Sequence, residues 1–171
     1  MKRHIVLVGL PGAGKTTVGK LVAEQLGTQV VDLDALIVRR MQMPVSRIFA
    51  EHGEAKFRSL EAEAMRQAVA GQAAVITPGG GWAAQPGAIE EVRPACYLVY
   101  LRTMAVTAAK RSADYGRPLL MGEDPVEKMR QLLKEREAFY ALADCELKAD
   151  VKSPSALAEE VVELARANAG W

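Results

Sequence analysis

Continuous apolar runs alternate along this chain with segments in which apolar residues recur every three or four positions. The runs at 4–8, 29–33, 73–77, 96–101 and 145–149 read as strands. The helical spacing covers 15–26, 35–40, 45–51, 54–70, 104–112, 125–143 and 154–168. The strand runs, such as Tyr97-Leu98-Val99-Tyr100-Leu101, are continuous instead of alternating, so both of their faces should be covered, as in a parallel sheet. Strands alternating with helices predict an α/β layered fold, whose ligands sit beyond the carboxyl ends of the strands. The chemically informative residues fall at those ends: Gly9–Thr16, Asp32 and Asp34, and Thr77–Gly81. With 171 residues and no repeat, low-complexity tract or linker, a single domain over 1–171 is expected.

The segment 9–16 reads G-L-P-G-A-G-K-T, a complete phosphate-loop pattern between the first strand and the first helix. Glycines let the backbone wrap around phosphate oxygens, and the N–H groups at the helix start face the anion. Lys15 can reach the β- and γ-phosphates, and the Thr16 hydroxyl can hold Mg²⁺. The chain is therefore expected to bind ATP.

Five further groups stand out. Asp32-Leu33-Asp34 closes the second strand, and strand alternation would put both carboxylates on one side, about 7 Å apart. One would hold Mg²⁺ through water and the other accept a proton from a substrate hydroxyl; alternatively they are turn or helix-capping aspartates, Asp34 preceding a short helix. Arg58 and Glu61 share a helix face, so Glu61 would orient Arg58 toward an anionic group or form a plain surface ion pair. Gly79, Gly80 and Gly81 suit a place where a ligand meets the backbone. The polar stretch 112–124, with Arg117 inside it and Arg111 beside it, reads as a lid that brings a cation over the transferring group. Arg136 and Tyr140 share another helix face, which by composition alone is a solvated one. His4 and His52 show no partner pattern and read as structural or surface residues.

Composition narrows the function classes. A net charge of +1 gives no electrostatic case for nucleic acid or an anionic membrane. Cys96 and Cys145 lie far apart without metal spacing, which fits packing in a reducing compartment. No apolar run has the length of a signal peptide or a membrane span, so a cytoplasmic protein is expected.

Taken together, the motifs resemble shikimate kinase. The ordered set is G-L-P-G-A-G-K-T-T-V-G-K at 9–20, D-L-D at 32–34, F-A-E-H-G-E-A-K-F-R-S-L-E at 49–61, G-G-G at 79–81, R-P-L-L at 117–120 and R-E-A-F-Y at 136–140. The phosphate loop is shared by many kinases; the combination with the other segments is far more specific. The resemblance implies a five-stranded parallel sheet in the order 2-3-1-4-5, as in nucleoside monophosphate kinases, with a substrate-binding helical region over about 34–61. It implies transfer of the γ-phosphoryl group of ATP to the 3-hydroxyl of shikimate, with Mg²⁺, by a monomer acting on small molecules only.

By matching position, the resemblance implies that Asp34, Arg58, Gly79, Gly80, Gly81 and Arg136 bind shikimate, with Arg58 and Arg136 clamping its carboxylate and Asp34 as the best candidate base. Asp32 and Thr16 would serve Mg²⁺. Gly12, Ala13, Gly14, Lys15, Thr16 and Thr17 would hold the phosphates, Lys15 and Arg117 would stabilise their charge, and Lys110 and the segment around Pro154 would pack against adenine. Two positions depart from the family pattern. Val38 replaces an acid, and Trp82 follows the glycines where a small or aliphatic residue is usual; Trp82 would narrow the pocket or stack on a ligand, which makes it the first place to look for altered specificity, or else pack under the following loop. The alternatives are another small sugar-acid kinase resembling gluconate kinase and a non-catalytic ATP-binding module.

Overall fold

The strand His4–Val8 (β1) is buried at all five positions, because apolar layers cover both of its faces. Val6 and Val8 point into one layer and Ile5 and Leu7 into the other, as the period of two requires. The computed structural model describes residues 1–114 and 124–171. Four more strands, β2 (Val30–Asp32), β3 (Val75–Thr77), β4 (Cys96–Arg102) and β5 (Cys145–Lys148), join β1 in a sheet of order β2-β3-β1-β4-β5. Every pairing is parallel, as expected.

The helices α1 (Lys15–Leu26) and α7 (Pro154–Asn168) cover one face through Val18, Val22, Leu157 and Val161. The opposite face carries α2 (Leu33–Met41), α3 (Val45–Ala70), α4 (Ala88–Val92), α5 (Ala105–Asp114) and α6 (Pro125–Tyr140). Loops at the carboxyl ends of β1, β2 and β3 bring the phosphate loop, Asp32 and the three glycines to one edge. β2 ends with Asp32 in register with Thr77 of β3.

Several boundaries differ from the sequence reading. The helices expected at 45–51 and 54–70 form one element, α3, broken at Gly53, where φ is 81° and ψ is 167°. A side chain rarely adopts that φ, so glycine makes the bend possible. The bend folds Phe49 back toward Phe57, with ring centroids 4.8 Å apart. The short α4 was not expected. The last helix turn expected at 141–143 is a turn instead, because Asp144 is drawn to β4: its carboxylate accepts from the Leu98 N–H at 2.7 Å.

His4 is structural and His52 is exposed. The Ala74 N–H donates to His4 Nδ1 at 3.2 Å, so Nε2 carries the proton toward the Val69 carbonyl at 3.1 Å. Burial lowers the pKa of this ring, which therefore stays neutral while tying β1 to the end of α3. Both cysteines are free, and burial pushes the Cys96 thiol up to about 12.

Candidate active site

The loop after β1 takes its shape from glycines at positive φ, 81° at Gly12 and 94° at Gly14. A Cβ on Gly12 would also stand 2.4 Å from the Ala108 carbonyl oxygen, so the loop lies directly on α5. Gly14 opens α1 without a side-chain cap, which leaves the first N–H groups of the helix for an anion. Lys15 is buried, and its ammonium donates to the carbonyls of Gly9 at 2.7 Å and Leu10 at 2.8 Å. Ala13 is buried beneath the loop, and Thr16 and Thr17 are exposed on the first turn of α1.

Asp32 and Asp34 do not close the second strand together with their carboxylates on one side, as expected. β2 ends at Asp32, which caps α2 by accepting from the Ala35 N–H at 3.1 Å, while Asp34 lies in the first turn of that helix. The cap is thus Asp32 and not Asp34. The change of backbone separates the two carboxylates. Asp32 Oδ2 accepts from the Thr16 hydroxyl at 3.2 Å, whereas Asp34 faces Gly79. A hydroxyl and a carboxylate side by side at the phosphate loop form a hard oxygen donor set that fits Mg²⁺. Among the described residues no group of three or more His, Cys, Asp or Glu gathers.

The three glycines are explained by what packs against them. A Cβ on Gly79 would stand 3.0 Å from Glu61 Oε2 and 3.1 Å from Asp34 Oδ1. One on Gly80 would meet Pro11 at 2.7 Å and Arg136 Nη1 at 3.2 Å, and one on Gly81 would meet Arg58 Nη2 at 2.4 Å. Charged side chains from α2, α3 and α6 thus rest on bare backbone. The turn is anchored from the far side by the Tyr140 hydroxyl, which donates to the Gly80 carbonyl at 2.6 Å. Burial pushes that phenol up to about 12.

Pro11, Asp34, Arg58, Gly79–Gly81 and Arg136 line one open cleft of about 560 Å³, with Phe49 and Phe57 as its apolar wall. Arg58 Nη1 donates to Glu61 Oε1 at 2.6 Å, and Nη2 lies 3.4 Å from Glu54 Oε1. Glu61 is 1% exposed, so its pairing with Arg58 is not the surface ion pair that the sequence left open. Burial raises the Glu61 carboxyl to about 7 against the pull of Arg58 and Arg136, with Asp34 adding to the rise.

Trp82 and Val38 do not line this cleft. Trp82 is 3% exposed in the core, beside Met65 and Val92 on the other side of Arg58. The expected lid at 112–124, including Arg117, falls almost wholly outside the described residues. On α5, Lys110 is exposed, while Arg111 Nη1 lies 4.0 Å from the position of a Gly14 Cβ. Pro154 is exposed at the start of α7. Sequence reasoning missed two contributors, Tyr140 as the anchor of Gly80 and the buried Ser112 against Gly12, and read Arg111 as a cation beside the lid without placing it at the phosphate loop. The i, i+4 spacing of Arg136 and Tyr140 was the available signal for the first.

The packing makes Gly81 a separable determinant. Gly81→Ala is expected to displace the Arg58 guanidinium, a flexible end, and leave the fold intact. Steady-state kinetics should show KM for the anionic acceptor raised about tenfold, the loss of one good charged contact, with the thermal midpoint lowered because the shifted guanidinium also weakens its pair with the buried Glu61.

A family model described as shikimate kinase matches residues 11–166. The shikimate kinase of Moorella thermoacetica is 39% identical over 168 residues, covering 98% of this chain and 96% of the relative. That of Chlorobium chlorochromatii is 40% identical, covering 92% of this chain and 87% of its own. Among solved structures, a shikimate kinase from Acinetobacter baumannii in complex with shikimate superposes with a TM-score of 0.92 at 34% identity, covering 98% of this chain and 95% of that one. A gluconokinase from Sinorhizobium meliloti shares the fold alone, with a TM-score of 0.69 at 17% identity over 99% of this chain and 94% of its own.

Proposed function

The chain belongs to the shikimate kinase family, and from that premise we propose how its residues carry the transfer of the ATP γ-phosphoryl group to the 3-hydroxyl of shikimate. Arg58 and Arg136 clamp the acceptor carboxylate, since a guanidinium binds a carboxylate through two parallel hydrogen bonds. Asp34 accepts hydrogen bonds from the ring hydroxyls and takes the proton as the 3-hydroxyl oxygen attacks phosphorus. Gly79, Gly80 and Gly81 let the ring approach the backbone. The observation that carries this reading is that Pro11 of the phosphate loop, Asp34, Arg58 and Arg136 line one cleft, so donor and acceptor share it.

The phosphate-loop backbone over Gly12, Ala13, Gly14 and Thr17 cradles the ATP phosphates. Lys15 exchanges its hold on the Gly9 and Leu10 carbonyls for phosphate oxygens, so its charge follows the transferring group. Arg117, outside the described residues, adds a second cation there, and Lys110 and Pro154 flank the adenine. Thr16 and Asp32 would hold Mg²⁺, which when bound neutralises phosphate charge. The transition state is loose, so positioning and charge stabilisation contribute most. Among the described residues no helix is long and apolar enough to cross a membrane. In this reading 1–171 acts as one kinase domain, a cytoplasmic monomer that handles small molecules only.

ADP release with Mg-ATP, with and without shikimate and beside gluconate and quinate, tests the reading. Stimulation by shikimate alone is expected. Stimulation by gluconate instead would point to a different sugar acid, and ATP binding without turnover on any acid would make the chain a binding module.

A further inference from the structure

Among the described residues Glu61 is the only fully buried acid, at 1% exposure. Its Oε1 accepts from Arg58 at 2.6 Å, while Oε2 has no hydrogen-bond partner. Oε2 and Asp34 Oδ1 converge on Gly79, so the two carboxyl groups lie within about 6 Å of each other. The charged groups facing Glu61 come from three helices: Arg58 and, beyond it, Glu54 on α3, Asp34 on α2, and Arg136 on α6. Tyr140 on α6 is committed to Gly80, and the glycine turn presents only backbone.

Arg58 and Arg136 balance Asp34 and Glu61. A carboxylate bound between the two arginines breaks that balance by adding one negative charge in a space where Glu61 is already poorly solvated. We propose that Glu61 takes up one proton from solvent, on Oε2, when the anionic acceptor binds. Arg58 then faces a neutral acid on one side and gives its charge to the acceptor carboxylate on the other. The proton returns to solvent when the product leaves. Glu61 is thus a positioning residue, acting through Arg58, and the inference rests on the reading of Arg58 and Arg136 as the carboxylate clamp.

The direction of the pH dependence follows. Burial, against the pull of Arg58 and Arg136, brings the free-state carboxyl to about 7, and an added anion raises it further. The protonated form binds the acceptor more tightly, so affinity is greatest below that value and falls as pH rises above it. One proton limits the fall to about tenfold per pH unit.

The test is titration calorimetry of the full chain with shikimate, in buffers of different ionisation enthalpy. Near pH ~8 the wild type should take up a substantial fraction of a proton on binding, and near pH ~6 almost none. Glu61→Gln, isosteric with the neutral acid, should bind with no uptake and a flat Kd across that range. Undiminished uptake in Glu61→Gln overturns the proposal, as does zero uptake by the wild type. Infrared difference spectra of the wild type on shikimate addition give a second readout should the variant fail to fold. A new protonated-carboxyl band is expected, and its absence counts against Glu61. Binding that Arg136→Leu leaves unchanged overturns the clamp and this inference with it. Binding that depends on Arg136 yet takes up no proton overturns the Glu61 inference alone.

Discussion

Lys15→Ala is expected to lower kcat by about 10²–10³-fold, the loss typical of removing one group that stabilises transition-state charge. The ammonium is the loop's own cation, buried and held by the Gly9 and Leu10 carbonyls at 2.7 and 2.8 Å. Phosphoryl transfer spreads charge over the phosphate oxygens, and a fixed cation stabilises that charge most in the transition state. The loss should therefore fall on kcat more than on KM for ATP, which the loop backbone still binds. The same substitution leaves two carbonyls without their donor, at a cost of about 1–3 kcal/mol in stability. Single-turnover rates, measured where circular dichroism shows both proteins folded, separate the two effects. An unchanged rate would remove Lys15 from the catalytic group.

Arg136→Leu is expected to raise KM for shikimate by about 10²-fold, because truncating one member of a desolvated charge pair costs about 2–5 kcal/mol. KM for ATP should change little, since Arg136, on α6 against Gly80, serves the acceptor carboxylate in this reading while the loop backbone and Lys15 hold the phosphates. Leucine keeps the apolar contacts of the stem, so the thermal midpoint should hold. Arg136 also holds the Glu61 carboxyl down, so its removal should move the pH dependence of shikimate binding upward. Steady-state kinetics against each substrate in turn, repeated across pH, checks both statements. Intact shikimate binding would mean that the carboxylate is recognised elsewhere.

Such predictions draw unequally on sequence and tertiary structure. The phosphate loop was legible because its work is local: φ values at Gly12 and Gly14, a lysine one position on, and a helix that follows. The central strands β1, β3 and β4 were legible because burial on both faces leaves a continuous apolar run, whereas the edge strand β5 alternates half-buried and exposed positions. The order of the sheet came from the resemblance, since periodicity carries no information about which strand lies beside which. Asp34 was misplaced on a strand because Asp32, as the helix cap, ends β2 earlier than the apolar run does. The bend at Gly53 left two helical patterns that read as separate helices, though they form one element.

Within the site, sequence spacing put Arg58 and Glu61 on one face but gave no sign that Glu61 is buried. Burial was decided by α2, α6 and the glycine turn, which close over it from positions 18 or more residues away in the chain. The same holds for the glycines. Gly79, Gly80 and Gly81 could be read as a ligand-facing turn, yet their separate neighbours, the two carboxyls, Pro11 with Arg136, and Arg58, are brought there by packing. For Trp82 the sequence left open a pocket residue or a packed one, and the structure buries it in the core beside Met65 and Val92. The sequence by itself determined the residue types, the local turns and the alternation of strand and helix, all set by backbone preferences over a few positions. Only the tertiary structure decided which charges lose their water and which neighbours they share, because desolvation and charge coupling depend on distances between elements far apart in the chain.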